Sequence, residues 1–128
     1  MRPVLRRVLH VNLSVHDVDA CVAFYSEVLG LEPAPRSAEG GRPGAWFRLG
    51  GMEVHLSLDD VVEGATSRRH VAFEVDDLEA MRRYLVDRGV VIEGGTAMPG
   101  ARRLFVRDPS GNRIEIVEGA GDLDVRRR

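Results

Sequence analysis

The chain has 128 residues, with 44% hydrophobic and 30% charged side chains and a formal net charge of −2, the composition of one ordinary globular domain. That charge argues against a nucleic-acid or anionic-membrane partner, because both require a basic face. All 18 basic residues are arginine, so Schiff-base chemistry and a lysine general base are excluded.

The first seven residues, Met1-Arg2-Pro3-Val4-Leu5-Arg6-Arg7, lack the apolar stretch of a signal peptide. No run of 18 apolar residues follows, so no membrane span is expected, and a cytoplasmic location is the expectation. Residues 8–15 alternate, with Leu9, Val11, Leu13 and Val15 on one side of a half-buried strand. Asp17 then stands where a helix N-cap belongs, since its carboxylate can accept from the free N–H groups of a first turn. Cys21, Phe24, Tyr25 and Val28 follow at helical spacing, and Gly30 closes the helix. Cys21, the single cysteine, reads as a small buried hydrophobe, and no intrachain disulfide is possible.

Three strand-like segments come next, near residues 31–35, 45–49 and 52–58, the last two separated by Gly50-Gly51. A polar linker, residues 59–68 with Gly64, leads to a second alternating segment, Arg69-His70-Val71-Ala72-Phe73-Glu74-Val75. Asp77 is again a candidate N-cap; Leu78, Met81 and Leu85 share a helix face and Gly89 ends it. Strand-like segments recur near 90–93, 102–107 and 113–117, with Asp108-Pro109-Ser110-Gly111 as the turn signal. Each half therefore reads β-α-β-β-β, and His10 with His70, Asp17 with Asp77, Gly51 with Gly111 and His55 with Glu115 all stand 60 positions apart. A duplicated unit explains that common offset. The expected architecture is α+β: two tandem βαβββ modules, residues 8–58 and 69–118 of a single domain 1–128, forming a curved mixed sheet around a central cavity with the helices outside.

Strand parity selects the polar residues that matter. His10 lies opposite the Leu/Val face of its strand, His55 opposite Val54 and Leu56, His70 opposite Val71 and Phe73, and Glu115 opposite Ile114 and Ile116. If the halves face each other about a pseudo-twofold axis, these four converge. Three imidazoles and one carboxylate suit a divalent Zn, Ni, Fe, Mn or Co ion, leaving two adjacent positions for neighbouring oxygens of a small-molecule substrate. Glu53, Glu74 and Ser57 share parity with these residues and would stand close behind them. Of Trp46 and Phe47, adjacent on one strand, one is expected to line the cavity and the other to meet the helix layer; both are substrate-binding candidates. Arg102 and Arg103 could meet an anionic substrate group, and the loops 36–44 and 94–103 could close over the site. The tail, residues 119–128, is expected to fray.

Several of these stretches carry a family resemblance. Leu9-His10-Val11-Asn12-Leu13-Ser14-Val15, Phe24-Tyr25, Leu29-Gly30-Leu31, His70 through Asp77, and above all Asp108-Pro109-Ser110-Gly111-Asn112-Arg113-Ile114-Glu115 resemble the vicinal-oxygen-chelate superfamily, the glyoxalase/bleomycin-resistance/extradiol-dioxygenase fold. The resemblance places metal ligands on the first and last strand of each half, again at His10, His55, His70 and Glu115. It implies a glyoxalase-like, metal-dependent lyase or isomerase that binds its substrate through vicinal oxygens and stabilises an enediolate, with Glu115 as ligand and general base. The alternatives it leaves are an antibiotic-binding protein of the bleomycin-resistance type without catalysis and a dioxygenase-like oxygenase. Glyoxalase I has an acidic ligand where this chain has His55, which would make the site one unit more positive. A homodimer is also expected, from exposed strand edges and from the relatives.

Overall fold

The computed structural model of the chain describes residues 1–36, 41–60 and 67–119. The Gly64 linker signal, the middle of the 36–44 loop and the tail from residue 120 lie outside the described residues. The fold is α+β and divides into two compact units, Met1–Val62 and Glu63–Arg128.

In the first unit, strand β1 (His10–Val15) leads into helix α1 (Val18–Ala23), which widens into a π-type turn over Phe24–Val28. Asp17 caps α1 as the sequence predicts: its backbone is extended and its Oδ1 accepts from Ala20 N–H at 3.0 Å. Strands β2 (Glu32–Ala34), β3 (Gly44–Leu49) and β4 (Met52–Leu58) complete a sheet of order β1-β4-β3-β2. The β1–β4 pair is parallel and the other two are antiparallel, so the sheet is mixed. One face packs on the helix through Val15, Cys21, Phe24, Tyr25, Leu31, Phe47, Val54 and Leu56, all buried. Gly44 lies against this sheet so closely that a Cβ there would stand 2.1 Å from the Leu56 carbonyl oxygen; only glycine lets the strand begin at that point.

The second unit repeats the plan with one difference. Strand β5 (His70–Val75) is followed by helix α2 (Leu78–Asp87), whose first turn is capped by Asp77 Oδ1 accepting from Ala80 N–H at 3.0 Å. Strands β6 (Arg103–Arg107) and β7 (Arg113–Glu118) give the sheet order β5-β7-β6, with β5 and β7 parallel. The strand expected at residues 90–93 is not formed. Glu93 N–H donates to the Phe105 carbonyl at 2.8 Å, but Gly94 then turns at φ +36° into a short 3-10 helix, Gly94–Ala97. A β pairing cannot extend past that turn.

The turn between β6 and β7 explains the most specific motif of the sequence. Asp108 is buried, and its Oδ1 accepts from the backbone N–H groups of Ser110 and Asn112, both at 2.9 Å. Its Oδ2 accepts from the Asn112 side-chain amide at 2.9 Å, and Gly111 supplies the left-handed φ of +90°. Asp108→Ala would strand three donors in a buried turn and is expected to lower stability by about 2–3 kcal/mol. Asp77→Ala, which removes only an exposed cap, should cost about 1 kcal/mol. Urea unfolding at constant m-value measures both; equal losses would show that the turn does not depend on the Asp108 carboxylate.

Candidate metal and substrate site

Register fixes which polar side chains meet in the first unit. Parallel pairing sets Asn12 beside His55 and His10 beside Glu53, and the antiparallel neighbour sets Trp46 beside His55 and Arg48 beside Glu53. These side chains share the face opposite the core. His55 is the centre of a three-ring stack: the His10 ring lies 4.0 Å away at 17°, and the Trp46 ring 4.0 Å away at 4°. Glu53 Oε1 lies 2.8 Å from His55 Nε2. A carboxylate only accepts, so Nε2 carries the proton and a neutral ring would present its lone pair at Nδ1. Ser57 Oγ donates to Asn12 Oδ1 at 2.8 Å on the same face. Phe47 points the other way, 1% exposed and 6.1 Å from the Tyr25 ring. Of the two adjacent aromatics, Trp46 shares the face with the histidines and Phe47 packs in the core behind it.

The stack bears on metal binding. Imidazole lone pairs lie in the ring plane, and a ligating nitrogen stands about 2.0–2.1 Å from its ion. Two nearly parallel rings with centroids 4.0 Å apart therefore aim side by side. For His10 and His55 to hold the same ion, one ring has to turn about its side-chain torsions.

In the second unit the parallel pair sets Ala72 beside Glu115 and His70 beside Arg113, and β6 sets Phe105 beside Glu115. Glu115 is 1% exposed. Its Oε1 lies 3.3 Å from His70 Nε2, and its Oε2 accepts from Arg103 Nη1 at 3.2 Å. The other nitrogen of His70, Nδ1, lies 2.9 Å from the Arg68 carbonyl oxygen. A carbonyl cannot donate, so Nδ1 carries the proton. In the neutral ring Nε2 then turns a lone pair toward a carboxylate oxygen. Two acceptors facing each other at this range need a proton or a cation between them, and an imidazole held through its second nitrogen by a carbonyl is how protein metal ligands are oriented. The His70–Glu115 pair thus fits a divalent ion. Among the described residues the candidate ligands come as these two pairs, and no group of three His, Cys, Asp or Glu side chains is assembled.

Phe105 is the residue that sequence reasoning missed. His70 meets its edge at 5.4 Å and 85°, and the guanidinium carbons of Arg113 and Arg103 lie over the ring at 3.7 and 5.3 Å. Arg113 and Arg107 are both tied to Glu93, at 3.4 and 2.7 Å. Parity along β6 puts Phe105 with Arg103 and Arg107, but only the β6–β7 register shows that it stands beside Glu115. Arg102 lies exposed just before β6, and Glu74 lies exposed on β5.

With this geometry in place, the comparison with known proteins assigns the class. The chain belongs to the Glyoxalase/Bleomycin resistance protein/Dioxygenase superfamily, which matches residues 7–116. It is 31% identical over 123 residues to the glutathione transferase FosA of Serratia marcescens, covering 91% of this chain and 84% of that one. It is also 31% identical over 124 residues to the lactoylglutathione lyase of Haemophilus influenzae, covering 88% and 92%. A glyoxalase family protein from Bacillus anthracis superposes with a TM-score of 0.78 at 32% identity, over 92% of this chain and 98% of that one.

Trp46 is the only tryptophan, so its fluorescence reports on the stack. His55→Ala removes the ring against one indole face and is expected to shift the emission to longer wavelength as water reaches it. An unchanged spectrum would mean that the rings are not stacked in solution.

Proposed function

We propose that this chain is a metal-dependent enzyme of lyase or isomerase type, with His10, His55, His70 and Glu115 as the donor set for one divalent ion (Zn, Ni, Fe, Mn or Co) and a small substrate that presents two vicinal oxygens. The observation that carries the reading is the His70–Glu115 pair: Nε2 and Oε1 stand 3.3 Å apart, with the carboxylate buried and the imidazole fixed by the Arg68 carbonyl. The family membership and the names of the two relatives, a lactoylglutathione lyase and a glutathione transferase, support it.

A bound ion of this kind supplies Lewis-acid stabilisation of an oxyanion or enediolate. The protein side of the chemistry falls to a few residues. Glu115 has a carboxylate oxygen that can hold the proton leaving the carbon next to a carbonyl. His70 keeps one orientation because its Nδ1 is tied to the Arg68 carbonyl. Trp46 offers a flat apolar wall to the substrate, while Phe47 serves by packing behind it. Arg103, more than half exposed, is available to an anionic group, which suits a substrate bearing carboxylates, such as a glutathione-type thiol adduct. The homodimer and the cytoplasmic location belong to the same reading. The stacked His10–His55–Trp46 rings favour a second reading, an antibiotic-binding protein that uses the aromatic face without chemistry.

Elemental analysis of protein purified without chelator separates the two. The enzyme reading expects a stoichiometric divalent ion, lost in Glu115→Ala and reduced in His55→Ala. It also expects Glu115→Gln to lower kcat/KM for the substrate by about 100-fold or more. Metal-free wild-type protein that still binds small aromatic ligands would establish the second reading, and full occupancy in Glu115→Ala would remove Glu115 from the site.

A further inference from the structure

We propose that Arg103 antagonises metal loading: in the metal-free protein its guanidinium serves as the counter-cation of Glu115, and it must leave when a divalent ion arrives. This rests on the reading of Glu115 as a metal ligand and goes beyond it, because it assigns an opposing role to a residue next to the site.

A carboxylate that is 1% exposed carries a large desolvation penalty unless positive charge stands beside it. Arg103 supplies such a charge at Oε2. It lies on β6 two residues from Phe105, whose register partner is Glu115, so its side chain reaches diagonally across to Oε2 at 3.2 Å. Yet Arg103 reaches in from water: its side chain is 58% exposed, against 2% for that of Glu115. Arg107 and Arg113, on the same face, are held differently. Both are anchored by Glu93, and their side chains are only 25% and 22% exposed. Arg103 can therefore swing out and be rehydrated at little cost, while its two neighbours stay.

A divalent ion on Glu115 would stand a few ångströms from the guanidinium, and like charges at that range in a partly buried site repel strongly. The ion and Arg103 cannot share the carboxylate on equal terms. Loading the ion turns Arg103 outward, where it can take the anionic group of a substrate. Binding is then ordered, with the ion first and the anion second.

The test reads the sign of an affinity change. Full-length protein stripped with chelator is titrated with Zn²⁺ against a chromophoric competitor, as wild type, Arg103→Gln, Arg103→Lys and Glu115→Ala. Antagonism expects Arg103→Gln to bind Zn²⁺ about tenfold more tightly than wild type, with Arg103→Lys close to wild type because the charge is retained. The rise in melting temperature on adding Zn²⁺ should also be larger in Arg103→Gln, since its metal-free form has lost the counter-ion. If Arg103 instead orients Glu115 from behind, Arg103→Gln binds more weakly, and that result overturns the proposal, as does equal tightening in Arg103→Lys. Zn²⁺ binding that survives in Glu115→Ala sinks the metal-centre reading itself, whereas unchanged affinity in Arg103→Gln overturns the antagonism alone. Should Arg103→Gln fail to fold, Arg103→Met, which also removes the charge, takes its place against Arg103→Lys in the same comparison.

Discussion

Parallel neighbouring strands cannot be joined by a tight turn; the chain must leave the sheet and return over a long connection. In both units of this protein the first and last strands are such a pair, and the helix and remaining strands fill the connection between them. The register is the same in both. His10 stands opposite Glu53 and His70 opposite Arg113, and both pairs are 43 positions apart (53 − 10 and 113 − 70). That shared register is the structural reason why the polar residues of the two halves differ by a constant offset. It also brings residues more than 40 positions apart onto adjacent strands, and the His10–His55 and His70–Glu115 neighbours depend on that placement.

Bringing polar groups onto a sheet that buries its other face has a cost, and each unit meets it differently. In the first, His55 is covered on both ring faces by His10 and Trp46 and at its Nε2 by Glu53. In the second, Glu115 is flanked by His70 at one oxygen and by Arg103 at the other. The compensating groups come from adjacent strands or from two residues along the same strand, as the alternation of a β-strand requires. The candidate donors in both units already have partners, so an ion bound as proposed would gain only what exceeds the contacts it displaces.

Much of this was legible in the sequence. Alternation marked β1, β4, β5 and β7, the carboxylates of Asp17 and Asp77 marked both helix starts, and parity put His10, His55 and His70 opposite the apolar faces. What stayed hidden depended on contacts between segments. The segment 90–93 has an apolar start typical of a strand, yet Gly94 and the pull of Arg107 and Arg113 on Glu93 end the pairing after one hydrogen bond. The link between Arg103 and Glu115 needs the β6–β7 register, which no local pattern encodes. The choice between Trp46 and Phe47 needed the direction of β3, and the structure sends Phe47 to the core. The His10–His55 stack could not be anticipated from donor chemistry alone, because ring orientation is set by Trp46 and Glu53 as much as by any ion.

The same neighbours change how the substitution at position 55 should be weighed. Taken singly, a histidine where the resemblance leads one to expect an acidic ligand would make the proposed site one unit more positive. The structure places Glu53 on the same face, two residues away, with its carboxylate 2.8 Å from the His55 ring. The first unit still holds a negative charge beside this position. With Glu53 counted, this face of the first unit carries two imidazoles and a carboxylate. The local field at position 55 is then closer to that of an acidic ligand than the residue name suggests.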